Sequence, residues 1–218
     1  MVIKSDIATR RLYATDASVY EQLPLSVAFP KNTEECIALV QAASENKIPL
    51  IFRAAGTSIA GQCVGGGQVV DVSRFLTCIF GEPSENQIRV QPGVIHSDLD
   101  LFLKPFNLKF APEISTSSRC MIGGMIGNNA AGSHSVIYGT TREHVIVIEA
   151  LLSDGTVVEF GPLTDEQLEA KCTLPTLEGE IYRTVTGVIN KHRGQILKRY
   201  PKPEIIRRNT GYPLDVLA

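Results

Sequence analysis

Glycine is concentrated in two short windows of this chain: Gly56, Gly61, Gly65, Gly66 and Gly67 form one, and Gly123, Gly124, Gly127, Gly132 and Gly139 the other, out of 18 in all. Glycine lets a backbone approach a ligand closely and take positive φ, so the windows read as two loops around one polar ligand, or else as a pair of tight turns. The first window runs Arg53-Ala54-Ala55-Gly56-Thr57-Ser58-Ile59-Ala60-Gly61-Gln62-Cys63 and nearly matches a phosphate-binding P-loop, with Gly56 and Gly61 correctly spaced. Gln62 stands where the phosphate-binding lysine belongs and Cys63 where the magnesium-binding hydroxyl belongs, which argues against nucleoside triphosphate hydrolysis. Neither window contains the Gly-x-Gly-x-x-Gly fingerprint of a Rossmann dinucleotide site. What remains is a loop of amides and hydroxyls suited to cradling a pyrophosphate without a cation.

The second window is preceded by Pro112-Glu113-Ile114-Ser115-Thr116-Ser117-Ser118 and runs from Ile122 through Asn128, Asn129 and Gly132 to Tyr138-Gly139. Four consecutive hydroxyls and two amide side chains among small residues make a hydrogen-bonding surface with little bulk, suited to a large planar ligand with polar edges. His134 lies inside this window and either touches the ligand or faces solvent. His144 opens an apolar strand, a structural setting; His96 and His192 have no catalytic partner in the sequence around them. Arg142 and Glu143 read as a solvated pair.

These loops need elements to hold them. Asn32 caps a helix whose apolar face is Cys36, Leu39, Val40 and Ala43, closing near Asn46. Strands follow at 48–52, 68–72 and 87–91, the last two separated by a turn at 81–86. Ser97 with Asp100 is expected to cap a helix carrying Leu99, Phe102 and Leu103, and Pro105 to stop it. Strands at 145–152 and 156–160 join through Asp154-Gly155, which predicts a type I′ turn. A helix over 180–193 and a basic tail complete the chain. Early alternation of helix and strand followed by a late hairpin predicts an α+β architecture, and Gly81-Glu82-Pro83-Ser84 places a lobe boundary between 1–82 and 83–218.

Composition sets the outer limits. The chain has 218 residues, 44% hydrophobic and 20% charged, and Lys+Arg 21 against Asp+Glu 23 leaves a net charge of -2. That is a folded domain with no basic field for nucleic acid. No apolar run approaches the ~20 residues that cross a bilayer, and the first twenty or so residues lack a signal peptide's apolar core. The cysteines at 36, 63, 78, 120 and 172 have neither zinc nor thioredoxin spacing, so no metal set is expected. An odd number of thiols fits a reducing compartment, and a cytoplasmic location is expected, with peripheral membrane association left open.

Four motifs in order now carry a family resemblance. They are Arg53-x-x-Gly56-Thr57-Ser58 with Gly65-Gly66-Gly67; Val90-Gln91-Pro92-Gly93-Val94; Ile122-Gly123-Gly124-Met125-Ile126-Gly127-Asn128-Asn129-Ala130-Ala131-Gly132; and Tyr138-Gly139-Thr140-Thr141. Together they resemble the FAD-linked oxidases, whose PCMH-type FAD-binding domain is shared with vanillyl-alcohol oxidase and p-cresol methylhydroxylase. Within that group the similarity is greatest to D-2-hydroxy acid dehydrogenases of the glycolate oxidase D-subunit and D-lactate dehydrogenase type. It extends over 29–160, and Arg208-Asn209-Thr210-Gly211-Tyr212-Pro213-Leu214 resembles the long, iron–sulfur-fused members.

The resemblance implies a PCMH-type domain of two α+β subdomains with the flavin between them. It places Ala54, Ala55, Gly56, Thr57, Ser58 and Gly61 at the FAD pyrophosphate, and Pro112, Glu113, Thr116, Ser118, Gly123, Gly124, Asn128, Asn129 and Gly132 around the rest of the flavin. Tyr138, Gly139 and Ile148 would flank the nucleotide side. Covalent members carry histidine where Thr57 stands, so non-covalent FAD is expected. Relatives usually carry glycine at the positions of Ala54 and Ala55, where a methyl group would crowd the pyrophosphate if φ were positive.

The implied activity is oxidation of a small D-2-hydroxy acid of the glycolate, D-lactate or 2-hydroxyglutarate type to the 2-oxo acid, with an iron–sulfur domain or another electron acceptor as partner. Relatives complete the flavin site with Ser-Glu-Gly-Thr-Leu-Gly and add a substrate domain, and this chain reaches Ala218 before both. It is therefore expected to be a truncated FAD-binding portion with reduced flavin affinity and no turnover, with the base and substrate-binding residues in the missing part. The alternatives are a flavin-binding or electron-transfer module without its own substrate chemistry, an NADPH-dependent enolpyruvyl reductase of the same fold, and a non-flavin nucleotide-phosphate domain.

Overall fold

The computed structural model describes residues 1–202, 204–205 and 212–218. They form two compact units, Met1–His144 and Val145–Ala218, each an assembly of helices and strands.

The first unit opens with strand β1 (Val2–Lys4), helix α1 (Ile7–Leu12) and strand β2 (Ser26–Phe29). Helix α2 (Thr33–Asn46) follows, then β3 (Leu50–Arg53) and β4 (Gln68–Asp71). The sheet order is β1-β2-β4-β3, antiparallel at β1 and parallel elsewhere. Strand β2 buries Val27, Ala28 and Phe29 in succession, because the parallel part of the sheet is covered on both faces. On one face Val27, Phe29 and Val69 pack with Tyr13 and Ile51; on the other Ala28 and Val70 pack with Leu50 and Leu39 of α2. Helix α2 follows its sequence signals: Asn32 Oδ1 accepts from the Glu35 amide at 2.9 Å, and Cys36, Leu39, Val40 and Ala43 are its buried residues. A cap of this kind contributes about 1 kcal/mol.

A second core in the same unit draws on later residues. Strands β5 (Ile79–Ser84) and β6 (Gln87–Val90) form an antiparallel ribbon, and helix α3 (His96–Leu103) contributes Leu99 and Leu103 beside Val94, Cys120, Ile122 and Met125. The stretch read as turn and lobe boundary, Gly81 to Ser84, belongs to β5. The turn itself is Glu85-Asn86, both at positive φ (52° and 60°), the backbone a type I′ hairpin demands. Helix α3 is not capped by Ser97 and Asp100: it starts after Ile95 without a side-chain cap, and Asp100 Oδ1 instead accepts from the Phe110 amide at 2.8 Å. Pro105 does not end the helical path but sits in a 3-10 turn, Lys104–Phe106, where its missing N–H costs nothing. Short helices α4 (Ile122–Gly127) and α5 (Ser135–Tyr138) and a 3-10 turn at Thr141–His144 complete the unit.

In the second unit β7 (Ile148–Leu151) and β8 (Val157–Phe160) pair antiparallel, followed by α6 (Asp165–Thr173), α7 (Leu177–Arg199) and α8 (Leu214–Leu217). The hairpin is real but its turn is not type I′. Gly155 alone takes positive φ, while the Asp154 carboxylate accepts from the Thr156 amide and hydroxyl at 2.9 and 2.7 Å. Helix α7 outruns its predicted 180–193 span because Thr176 caps it earlier, accepting from the Gly179 amide. Of the motif at 208–214, residues 208–211 lie outside the described residues, and Leu214 begins α8.

Candidate functional site

Strand β3 of the parallel sheet ends at Arg53 and releases the first glycine loop from its C-terminal end, the side where open α/β sheets place ligands. Gly56 and Gly61 take φ of +68° and +76°, and a Cβ on them would stand 2.7 Å from Arg53 Nη2 and 2.6 Å from Tyr20 Cδ2. Ala54 and Ala55 are not at positive φ, so their methyl groups carry no backbone strain. No hydrogen bond to the described residues occupies the amides of Ala54, Ala55 or Thr57. Downstream, the Ser58 hydroxyl bonds Gln62 Oε1.

The second loop is built on two anchors. The Ile122 amide donates to Val94 O and the Gly123 amide to Pro92 O, both at 2.9 Å, which seats α4 on the Gln91-Pro92-Gly93 turn. Helix α4 buries Ile122 and Met125, leaving Gly124, Gly127 and Asn128 exposed on its outer side. Further on, Gly132 passes so close to Glu113 that a Cβ would lie 1.6 Å from the Glu113 carbonyl oxygen. This contact joins Pro112-Glu113 to the glycine-rich run and requires the absence of a side chain. Around it, Ser135 Oγ accepts from the Gly132 amide, Ala130 O accepts from the Thr141 amide and hydroxyl, and Asn129 Oδ1 accepts from the Arg142 amide at 3.0 Å. Thr116 O accepts two amides, from Arg119 and Cys120, and Ser118 is exposed.

The structure brings these two loops together. Gln62 Nε2 donates to Asn128 Oδ1 at 3.0 Å, and a Cβ on Gly124 would lie 3.7 Å from Ala54 Cβ. The predicted residues from Ala54 to Gly61 and from Pro112 to Gly139 thus belong to one unit, with the loops in contact. Tyr138 lies with Lys109 Nζ 4.9 Å from its ring centroid, and Gly139 takes φ of +79°. Ile148 is in the second unit, where it opens β7.

Several contributions were not legible from residue types. Gln62, which disqualified the P-loop, links the loops. Glu143 is more than half of a solvated pair: Oε1 meets Arg142 Nε at 3.1 Å, while Oε2 takes the Thr140 amide and hydroxyl at 2.6 and 2.5 Å. Partial burial opposes its ionisation, but the Thr140 bonds outweigh it and hold the carboxyl below the usual range. The Thr140-x-x-Glu143 spacing, a capping-box signature, was the available signal. His134 Nδ1 pairs with Glu113 Oε2 at 2.7 Å, and His144 Nε2 meets Tyr138 O at 2.7 Å, so both histidines brace the loop. No cluster that could hold a metal ion occurs among the described residues.

Free amides, two positive-φ glycines and a hydroxyl- and amide-rich second loop make a donor set suited to a diphosphate joined to a polar planar ring, and this is what FAD presents. Residues 24–161 match the family described as FAD binding domain, and the chain belongs to that family. A D-2-hydroxyglutarate dehydrogenase of Escherichia coli strain K12 is 39% identical over 211 residues, covering 95% of this chain and 20% of that protein. Glycolate oxidase subunit GlcD of Bacillus subtilis is 30% identical over 200 residues, 90% of this chain and 42% of that one. Among solved structures, 6-hydroxy-D-nicotine oxidase from Arthrobacter nicotinovorans superposes with a TM-score of 0.65 at 20% identity, over 73% of this chain and 35% of that chain. The fold is thus the PCMH-type FAD-binding fold of the FAD-linked oxidases. The chain spans about a fifth of the length of the D-2-hydroxyglutarate dehydrogenases it matches.

Proposed function

We propose that the two loops hold FAD without a covalent bond, as the flavin-binding portion of a dehydrogenase that oxidises a D-2-hydroxy acid to the 2-oxo acid. The contact of Gln62 with Asn128, beside Ala54 and Gly124, carries this reading. In it the backbone amides from Ala54 to Ser58 and at Gly61 receive the pyrophosphate. Pro112, Glu113, Thr116, Ser118, Gly123, Gly124, Asn128, Asn129 and Gly132 surround the rest of the flavin, with Tyr138 and Gly139 on the nucleotide side. Thr57, which cannot form the histidyl link of covalent members, supports dissociable cofactor.

The names of the relatives support a 2-hydroxy acid as substrate. When bound, FAD would supply the two-electron sink for oxidation of the carbinol, with the hydroxyl proton passing to a base. The residues of this chain bind and orient the ring system, the usual share of a protein in cofactor chemistry. An iron–sulfur domain or another electron acceptor would reoxidise the flavin. Five free thiols support a reducing, cytoplasmic location, and no helix among the described residues is long and apolar enough to cross a membrane.

The test is optical. The chain purified with FAD is expected to be yellow, and acid precipitation to release the colour into the supernatant. In a dehydrogenase that carries this chain, anaerobic addition of a D-2-hydroxy acid is expected to bleach the flavin band while the L-enantiomer leaves it. Colour that stays with the precipitate contradicts non-covalent binding, and a band that no D-2-hydroxy acid bleaches contradicts the substrate class.

A further inference from the structure

Residues 13–22 form a small closed arm ahead of the family domain, whose match begins at residue 24. Thr15 and Glu21 pair as an antiparallel bridge, the Gln22 amide donates to Ala14 O at 2.9 Å, and Asp16 Oδ1 accepts from the Ser18 amide at 2.8 Å. Ala14 is buried, and the Tyr13 hydroxyl donates to the buried Asp71 carboxylate at 2.5 Å, so the arm is seated on the first sheet. Burial and the Asp71 carboxylate push the Tyr13 phenol well above its ordinary range, which keeps it a neutral donor.

The arm meets the first glycine window at three places. The Ala17 amide donates to Gly56 O at 3.0 Å. The Tyr20 ring lies where a side chain on Gly61 would stand, and Gln22 Nε2 takes the equivalent place at Gly66, 2.7 Å from its Cβ position. Arg53 joins loop to arm: Nη1 donates to Thr15 O at 2.7 Å, the guanidinium lies 5.3 Å from the Tyr13 ring centroid, and Nη2 closes on Gly56. Gly56, Gly61 and Gly66 are therefore each held against an arm residue or against the arginine that the arm holds.

We propose that residues 13–22 clamp the phosphate-binding loop, with Tyr20 and Arg53 as positioning residues that fix Gly56 to Gly61 in the shape that receives the pyrophosphate; this rests on the FAD reading above. Both act through the loop: fixing it in advance removes an ordering cost that binding would otherwise meet. FAD affinity is thereby set in part by a segment outside the family domain.

Tyr20 allows a clean test because it is 59% exposed, so removing its ring leaves both cores intact. FAD dissociation constants are measured by flavin fluorescence on the full chain for wild type, Tyr20→Ala and Tyr20→Phe, with ligand-free melting temperatures alongside. The expected result is FAD affinity about tenfold weaker in Tyr20→Ala, recovery in Tyr20→Phe, and melting temperatures equal to wild type. Equal affinity in Tyr20→Ala and wild type overturns the clamp. So does a loss shared by Tyr20→Phe, or one matched by a lower ligand-free melting temperature, since either shows general packing. If wild type itself does not bind FAD, the cofactor reading falls and the clamp with it; if wild type binds and the variants match it, the clamp alone falls.

Discussion

Gln62 and Asn128, 66 positions apart in the chain, share a 3.0 Å hydrogen bond between side-chain amides. Two loops with no local reason to meet are tied to each other by polar groups that remain exposed to solvent. The bond makes the two glycine windows one surface.

If that tie preorganises the site, Gln62→Ala and Asn128→Ala each weaken FAD binding by about 2- to 10-fold, the range of one solvent-accessible hydrogen bond. The double variant is expected to be no worse than the weaker single one, because both remove the same interaction. Titration of the four proteins gives the coupling directly; additive losses would show that the side chains act separately.

Gly132 and Gly127 differ in what surrounds them. A methyl at Gly132 would meet the Glu113 carbonyl at 1.6 Å, whereas nothing lies within 4 Å of the Gly127 position, in α4. Gly132→Ala is expected to cost at least ~1–3 kcal/mol of stability and to abolish FAD binding by separating Glu113 from the glycine-rich run. Gly127→Ala is expected to be neutral or to gain up to ~1 kcal/mol by restricting the unfolded chain. Urea unfolding of both variants checks the contrast.

Glu143 makes the second loop acid-sensitive. Its folded pKa lies below the ordinary 4.5, so its contribution is fully present above that value and is lost as pH falls through the folded pKa. Wild type is expected to be more stable than Glu143→Gln at neutral pH, with the gap narrowing below 4.5 as the carboxylate of the native state protonates. Chemical denaturation across that range reads it; a gap constant with pH would show that the Thr140 bonds do not depend on the charge.

Legibility from sequence followed locality. Helix α2 was readable because Asn32, Glu35 and the apolar face all lie within one periodic stretch. The loops around Gly56 and Gly124 were readable because glycine clusters are rare and their order is specific. The Glu85-Asn86 turn was hidden because glutamate carries no preference for positive φ, while Asp154-Gly155, the stronger local signal, is overridden by the Asp154 bonds to Thr156. Asp100 left its expected cap for the Phe110 amide, a partner ten residues on that no helix pattern reveals. Residues 13–22 carry no motif at all; their role becomes visible only where Tyr20 and Gln22 occupy the space that Gly61 and Gly66 leave empty.

The central claim is that both loops close on one cofactor, and amide hydrogen exchange with and without FAD tests it most directly. Peptides covering Ala54 to Gln62 and Gly123 to Gly132 are expected to slow together, with the same dependence on FAD concentration. Protection confined to one of them, or none in either at saturating FAD, would contradict it.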